Sequence, residues 1–335
     1  MIILGVNSRH GDSSACLIKD GKILSASEEE RFVKIKHCSH FPVNSIKFCL
    51  KENNIDIKEV DYIAINTKFS YNFINKVFFI LKNIFINFSF DYFPAFNIFK
   101  TKRDHVSAQL FNIFRINLSK KIINVPHHLS HLFSTMYFLN ENKNDLAFSF
   151  DGSGDFSTIE TYLVNGKNYK LLKKSLFPDS LGFYYMTFTQ FLGFEDYGDE
   201  YKVMGLAAYG KPIFADKIKK LIKSYDPFAL DLKYFNLPMI TYHKHSPVIN
   251  TLYNKNFIEL FGQPRINNDD KPVEKIYADY ASSMQKVFED VVLSNLKNLK
   301  KKYNSKKLYL TGGCAFNTVL VGKIVQSKIF EKVIV

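Results

Sequence analysis

The chain opens on a short apolar run, Ile2–Asn7, whose length and β-branched content predict a strand. Ser8-Arg9-His10-Gly11-Asp12-Ser13-Ser14 reads as a turn, and a second strand follows at Ala15–Lys19. Asp20-Gly21 is a hairpin signal, which makes Ile23–Ser27 a third strand. Phe41-Pro42 then opens a helix with apolar spacing at Val43, Ile46 and Leu50, and Asp61–Asn66 is another strand.

The second half repeats this order loosely. Leu146–Asp151 is strand-like, Gly152-Ser153-Gly154-Asp155 is a tight turn, and Thr158–Val164 and Tyr169–Ser175 are strands joined at Asn165-Gly166. A helical period runs through Ala281, Met284, Phe288, Val291, Val292 and Leu296. Leu308–Leu310 is a strand, Thr311-Gly312-Gly313 leads into a helix, and Ile329–Val335 heads into a further strand. Two copies of one order predict a duplicated α/β fold, two lobes around a cleft, over residues 1–140 and 141–335. Glycines in each lobe's first turn would let backbone N–H groups approach an anion.

Phe73 to Phe93 is the most apolar stretch, but Asn75, Lys76, Lys82, Asn83, Asn87 and Asp91 interrupt it. It reads as one or two amphipathic helices in an insert near 70–115, and no transmembrane segment is expected. The 33 Phe and 19 Tyr follow a general compositional bias toward Phe, Tyr, Ile, Asn and Lys, so they carry no functional assignment. A net charge of +13 would attract anions. No nucleic-acid motif accompanies it, so nucleic acid is not an expected partner and the lysines read as solvated faces. Cys16, Cys38, Cys49 and Cys314 form no C-x-x-C pair, and the first residues lack a signal peptide's basic region. Both fit reduced thiols in a cytoplasmic protein.

The strongest local chemistry is Val125-Pro126-His127-His128-Leu129-Ser130-His131. Proline suits a helix start, and positions four apart share a face, so His127 and His131 present two imidazoles side by side as metal ligands would. His128 points elsewhere, as a hydrogen-bonding neighbour. Asp151 ends an apolar strand, where a carboxylate is costly unless paired or bound to metal. Two His and one carboxylate form a pattern typical of Fe2+, with Zn2+ or Mn2+ as alternatives. His10 and Asp12, in the first turn, are acid–base or anion-orienting candidates. Gly312-Gly313-Cys314-Ala315-Phe316-Asn317, between a strand and a helix, permits close approach of a nucleotide. His243 and His245 read as surface residues.

These segments, with Glu28-Glu29-Glu30-Arg31-Phe32, Ile35-Lys36-His37, Ser180-Leu181-Gly182 and the run from Glu200 to Gly210, resemble the carbamoyltransferase family of nodulation-factor, cephalosporin and aminoglycoside O-carbamoylation. They occur in the family's order across almost the whole chain, and Glu200–Gly210 is the most specific of them. The resemblance implies an actin-like or sugar-kinase-like (ribonuclease H-like) duplicated fold, similar to the tRNA threonylcarbamoyl-transferring proteins. It implies that this part passes a carbamoyl group to a hydroxyl of a sugar-like or natural-product acceptor. A separate C-terminal domain would make carbamoyladenylate from carbamoyl phosphate and ATP.

By motif, the resemblance makes His127, His131 and Asp151 metal ligands, and His10 and Asp12 residues near the carbamoyl group. It makes Lys36 and Lys202 anion contacts, and Gly312, Gly313 and Asn317 part of a nucleotide pocket. In the family, the strand at Lys332–Val335 precedes a Gly-Asp turn with a further carboxylate ligand, and then the C-terminal domain. Both are expected from a second polypeptide, with the second lobe short of its last strands; a homodimer is also compatible. A non-catalytic nucleotide-binding subunit, or an inactive fragment of such an enzyme, is the alternative reading.

Overall fold

The computed structural model describes residues 1–87, 102–137, 144–243, 246–267 and 272–335. The middle of the expected 70–115 insert, the expected boundary at 140 and His245 lie outside the described residues. The chain forms two compact units, Met1–His127 with Met239–Ile249, and His128–Pro238 with Asn250–Val335.

The first unit begins with β1 (Ile2–Asn7), β2 (Ser14–Lys19), β3 (Lys22–Glu28), the single turn α1 (Glu30–Val33) and α2 (Val43–Glu52). β4 (Tyr62–Ile65), α3 (Phe73–Asn87), α4 (Lys102–Phe114) and β5 (Ile122–Asn124) follow. Its sheet has the order β3-β2-β1-β4-β5. β1 pairs antiparallel with β2, Gly5 opposite Cys16, and parallel with β4, Val6 opposite Ile65. Alternation in β1 sends Leu4 and Val6 into the core, where Leu17, Ile46, Leu50 and Ile63 meet them. Helix α2 starts on a borrowed cap. The buried Glu29 carboxylate accepts the backbone N–H groups of Asn44 (3.1 Å) and Ser45 (2.9 Å) and the Ser45 hydroxyl (3.0 Å). A negative group there satisfies orphan donors and complements the helix dipole.

Next come α5 (His127–Met136), β6 (Asp145–Gly154), β7 (Ser157–Asn165), β8 (Asn168–Leu176), α6 (Leu181–Phe191), α7 (Glu200–Ala207) and α8 (Ala215–Ile218). β9 (Ile222–Tyr225) and β10 (Phe228–Leu230) form a small hairpin. A second hairpin, β11 (Ile240–His243) and β12 (Ser246–Ile249), groups with the first unit. α9 (Lys255–Phe261), α10 (Lys275–Tyr303), β13 (Lys307–Thr311), α11 (Thr318–Gln326) and β14 (Lys332–Ile334) complete the second unit.

Its sheet runs β8-β7-β6-β13-β14, antiparallel on the β7–β8 side and parallel on the β13–β14 side. Order and directions therefore repeat those of the first sheet, strand for strand. This is the duplicated ribonuclease H-like, actin-like architecture that the resemblance implies. Both sheets have five strands, and the fifth strand of the second runs Lys332–Ile334.

β6 is buried at six successive positions, Asp145–Phe150, as a strand covered on both faces must be. The 29-residue α10 buries Ala281, Met284, Phe288, Val291, Val292 and Leu296, the helical period read from the sequence. Phe188, Phe191, Phe257, Phe261 and Tyr280 form a nest of tilted and edge-on rings, so much of the aromatic surplus is core.

One local expectation changes. Gly152-Ser153-Gly154 is not the turn: β6 continues through Gly154 across an irregular register, and Gly154 pairs with Ser157. The turn is Asp155-Phe156, both at positive φ (51° and 73°), the twist that a two-residue hairpin loop requires. All four cysteines are free. No helix among the described residues is long and apolar enough to cross a membrane.

Candidate metal centre

Helix α5 begins one residue after Pro126, so its first residue is His127 and its fifth is His131. His127, the last residue of the first unit, is held beside His131 by the helix turn itself. His127 is 4% exposed. His131 Nε2 lies 3.0 Å from Asp151 Oδ2. One ligand atom from each of His127, His131 and Asp151 falls within 4.8 Å of the others, the group of this kind found among the described residues. Two imidazoles and one carboxylate are the donor set expected for a first-row divalent ion, so these residues fit such a group.

The supports are specific. His128 is buried on another face of α5 and meets Ser149 Oγ at 2.7 Å, the neighbour role read from the sequence. Thr311 Oγ1, at the end of β13, donates to His131 O at 2.9 Å. Asp151 Oδ1 accepts Gly152 N at 2.7 Å. Ser180, the cap of α6, donates to Gly152 O at 2.6 Å and accepts Phe183 N at 3.1 Å. Gly182 rests on the end of β6 so closely that a Cβ there would lie 2.6 Å from Gly152 Cα. That contact accounts for the glycine in Ser180-Leu181-Gly182.

The turn after β13 closes on the same carboxylate. Gly312 has φ +92°, and a Cβ on it would meet Phe150 O at 2.4 Å. Asn317 Oδ1 caps α11 through Leu320 N at 2.9 Å. The Asn317 side chain trades both amide hydrogen bonds with Gln285, at 3.0 and 2.9 Å. Tyr185 OH donates to Gln285 Oε1 at 2.8 Å, and Gln285 Nε2 donates to Glu289 Oε1 at 2.8 Å. Lys323 pairs with the other oxygen of that buried carboxylate. No local pattern announces this network, because its partners lie far apart in the chain. Burial, with Asp151 and Glu200 nearby, pushes the Cys314 thiol well above its ordinary range, which leaves it a poor nucleophile.

In the first unit, the rings of His10 and His127 stand 5.4 Å apart. Asp12 pairs with His37, Nδ1 to Oδ1 at 2.9 Å. Lys36 is exposed, and its carbonyl accepts Ser246 Oγ at 3.2 Å. In the second unit, Lys202 pairs with Asp199 at 2.7 Å, a hydrogen bond that raises its pKa.

Fold and side-chain cluster together describe a duplicated α/β protein in which two histidines and one carboxylate converge, a candidate site for a divalent ion. The family profile described as "Carbamoyltransferase N-terminus" matches residues 2–335, and the chain belongs to that family. An uncharacterised protein of Synechocystis sp. is 32% identical over 99% of this chain and 53% of its own length. Nodulation protein NolNO of Sinorhizobium fredii is 29% identical over 97% of this chain and 43% of its own length. Nodulation protein NolO of Bradyrhizobium diazoefficiens is 28% identical over 62% of this chain and 34% of its own length. The chain thus spans about half the length, or less, of these curated relatives. Among solved structures, component A of (R)-2-hydroxyglutaryl-CoA dehydratase from Acidaminococcus fermentans superposes with a TM-score of 0.49 at 13% identity, covering 99% of this chain and 90% of that one.

Proposed function

We propose that the chain is the transferring part of an O-carbamoyltransferase, moving a carbamoyl group from carbamoyladenylate to a hydroxyl of a sugar-like or natural-product acceptor. The observation that carries this reading is the family match along residues 2–335. The likeness to the nodulation proteins supports it. The part that makes carbamoyladenylate from carbamoyl phosphate and ATP would lie outside these residues, in further sequence or in a second polypeptide of the cytoplasm.

In the reaction, the acceptor oxygen forms a bond to the carbamoyl carbon. The bond from that carbon to the phosphate oxygen breaks, and AMP leaves with the electron pair. The acceptor's proton must go to a base, and His10, beside His127, is the group assigned that task. Asp12 holds the turn that carries His10. Lys36 and Lys202 are proposed anion contacts. Gly312, Gly313 and Asn317 are proposed as the nucleotide-facing turn, its glycines leaving room for close approach. His127, His131 and Asp151 would hold a divalent ion, Fe2+ first, with Zn2+ or Mn2+ as alternatives. When bound, such an ion supplies a Lewis acid for a carbonyl oxygen.

The test uses full-length protein purified without oxygen, carbamoyl phosphate, ATP and a panel of sugar and natural-product hydroxyls. Mass spectrometry should show an acceptor gaining one carbamoyl group, with AMP formed alongside. Metal analysis should show an ion in the wild type and its loss in His131→Ala and Asp151→Asn. Nucleotide binding without transfer to any acceptor would favour a non-catalytic subunit instead.

A further inference from the structure

The turn between β1 and β2 is braced from three sides. Arg9 N donates to Ser39 O at 3.0 Å, and Ser13 N donates to Cys38 O at 2.8 Å. Asn7 Nδ2 donates to Asp12 O at 2.9 Å, and Asn66 Nδ2 donates to Asn7 Oδ1 at 3.0 Å. Between these ties, His37 Nδ1 meets Asp12 Oδ1 at 2.9 Å. The His37 backbone is anchored in turn, its N–H donating to Glu30 Oε2 at 3.1 Å. Arg9, Asp12 and His37 have φ of 52°, 62° and 54°. Side-chain-bearing residues avoid that region unless their surroundings hold them in it. Strain at both ends of one hydrogen bond marks the His37–Asp12 contact as the clasp of this turn, and the turn presents His10.

We propose that His37 is a positioning residue for carbamoyl transfer: paired with Asp12, it locks the β1–β2 turn in the conformation that presents His10. The inference rests on the transfer reading and adds to it a residue that touches neither acceptor nor donor. The charges around the pair favour its ionic form. The Asp12 hydrogen bond leads in raising the His37 pKa, Asp12 and Glu30 add attraction, and burial and Lys36 oppose. The His37 hydrogen bond leads in lowering the Asp12 pKa, with His37, His10 and Lys36 adding attraction against burial. Deprotonation of His37 therefore weakens the clasp, and the alkaline limb of kcat belongs to His37.

The test uses full-length protein. Histidine NMR should find His37 of the wild type titrating above the ordinary imidazole range, and at an ordinary value in Asp12→Asn. In transfer assays, His37→Gln should lower kcat about 10- to 100-fold, leave KM within about twofold, and remove the alkaline limb. The double variant with Asp12→Asn should be no worse than the poorer single variant, because both cut one interaction. A wild-type His37 that titrates at or below the ordinary value overturns the proposal with no variant needed. So does product formation by His37→Gln with an unchanged alkaline limb, which leaves the transfer reading standing. No product from the wild type overturns the transfer reading and this inference with it.

Discussion

Gly313 faces the carboxylate of Asp151 so closely that a Cβ at that position would stand 2.8 Å from Oδ1. The obstructed atom is the end of a side chain that can rotate, so Gly313→Ala should keep the fold and turn Asp151 away from His131. We expect metal affinity about 10-fold weaker, read by equilibrium dialysis, with little change in melting temperature. Gly312→Ala meets the rigid carbonyl of Phe150 and a positive φ, and should show the reverse priority: a clear loss of melting temperature.

Glu29 is 2% exposed, and its carboxylate serves as the cap of α2. Glu29→Gln keeps the size but removes the charge and replaces acceptor capacity with donors that face backbone N–H groups. It should cost about 2 kcal/mol, measured by urea unfolding, and loosen hydrogen exchange at Asn44 and Ser45 first.

Gly205 and Gly210 bracket the end of α7 and should respond oppositely to alanine. A Cβ at Gly205 has no neighbour within 4 Å, and the residue is helical, so Gly205→Ala should stabilise by about 0.5–1 kcal/mol. A Cβ at Gly210 would lie 1.9 Å from Ala278 O, so Gly210→Ala must push the chain off α10. Its melting temperature should fall, measured by calorimetry beside Gly205→Ala.

The Asp12–His37 pair also gives stability a pH signature. The part due to the raised His37 pKa is fully present below its unfolded value of about 6.5 and is lost as pH rises through the folded value. The part due to the lowered Asp12 pKa is present above its unfolded value of about 3.9 and is lost as pH falls through the folded value. The melting-temperature gap between wild type and His37→Gln should therefore be widest between roughly pH 4 and 6.5 and narrow on either side. A gap independent of pH would show that the contact is not an ion pair.

Much of the scaffold was legible because period reports which face of an element is apolar. β1 and the buried face of α10 coincide with the patterns read from the chain, and the His127/His131 spacing became a shared helix face. What escaped depends on pairings that period does not encode. His37 and Asp12 are 25 residues apart, and Gln285 and Asn317 are 32 apart. Neither pair has a local signature, although His37 stood inside a motif already singled out. The displaced turn at Asp155-Phe156 escaped for another reason. Its left-handed residues carry side chains, while the glycines that usually mark such a turn sit in the irregular end of β6.

The repeated strand order has a consequence for how the protein is made. Strands β6, β7 and β8 are neighbours in sequence and can pair as soon as they leave the ribosome. The other flank of β6 waits for β13, where Leu308 lies opposite Leu146, and Leu146 N donates to the hydroxyl of Ser305 just before that strand, 159 residues downstream. Throughout that interval the nascent chain carries an open, apolar strand edge able to pair with another copy of itself. Yield in an expression host should accordingly depend on translation speed and chaperone supply more than on the stability of the finished fold.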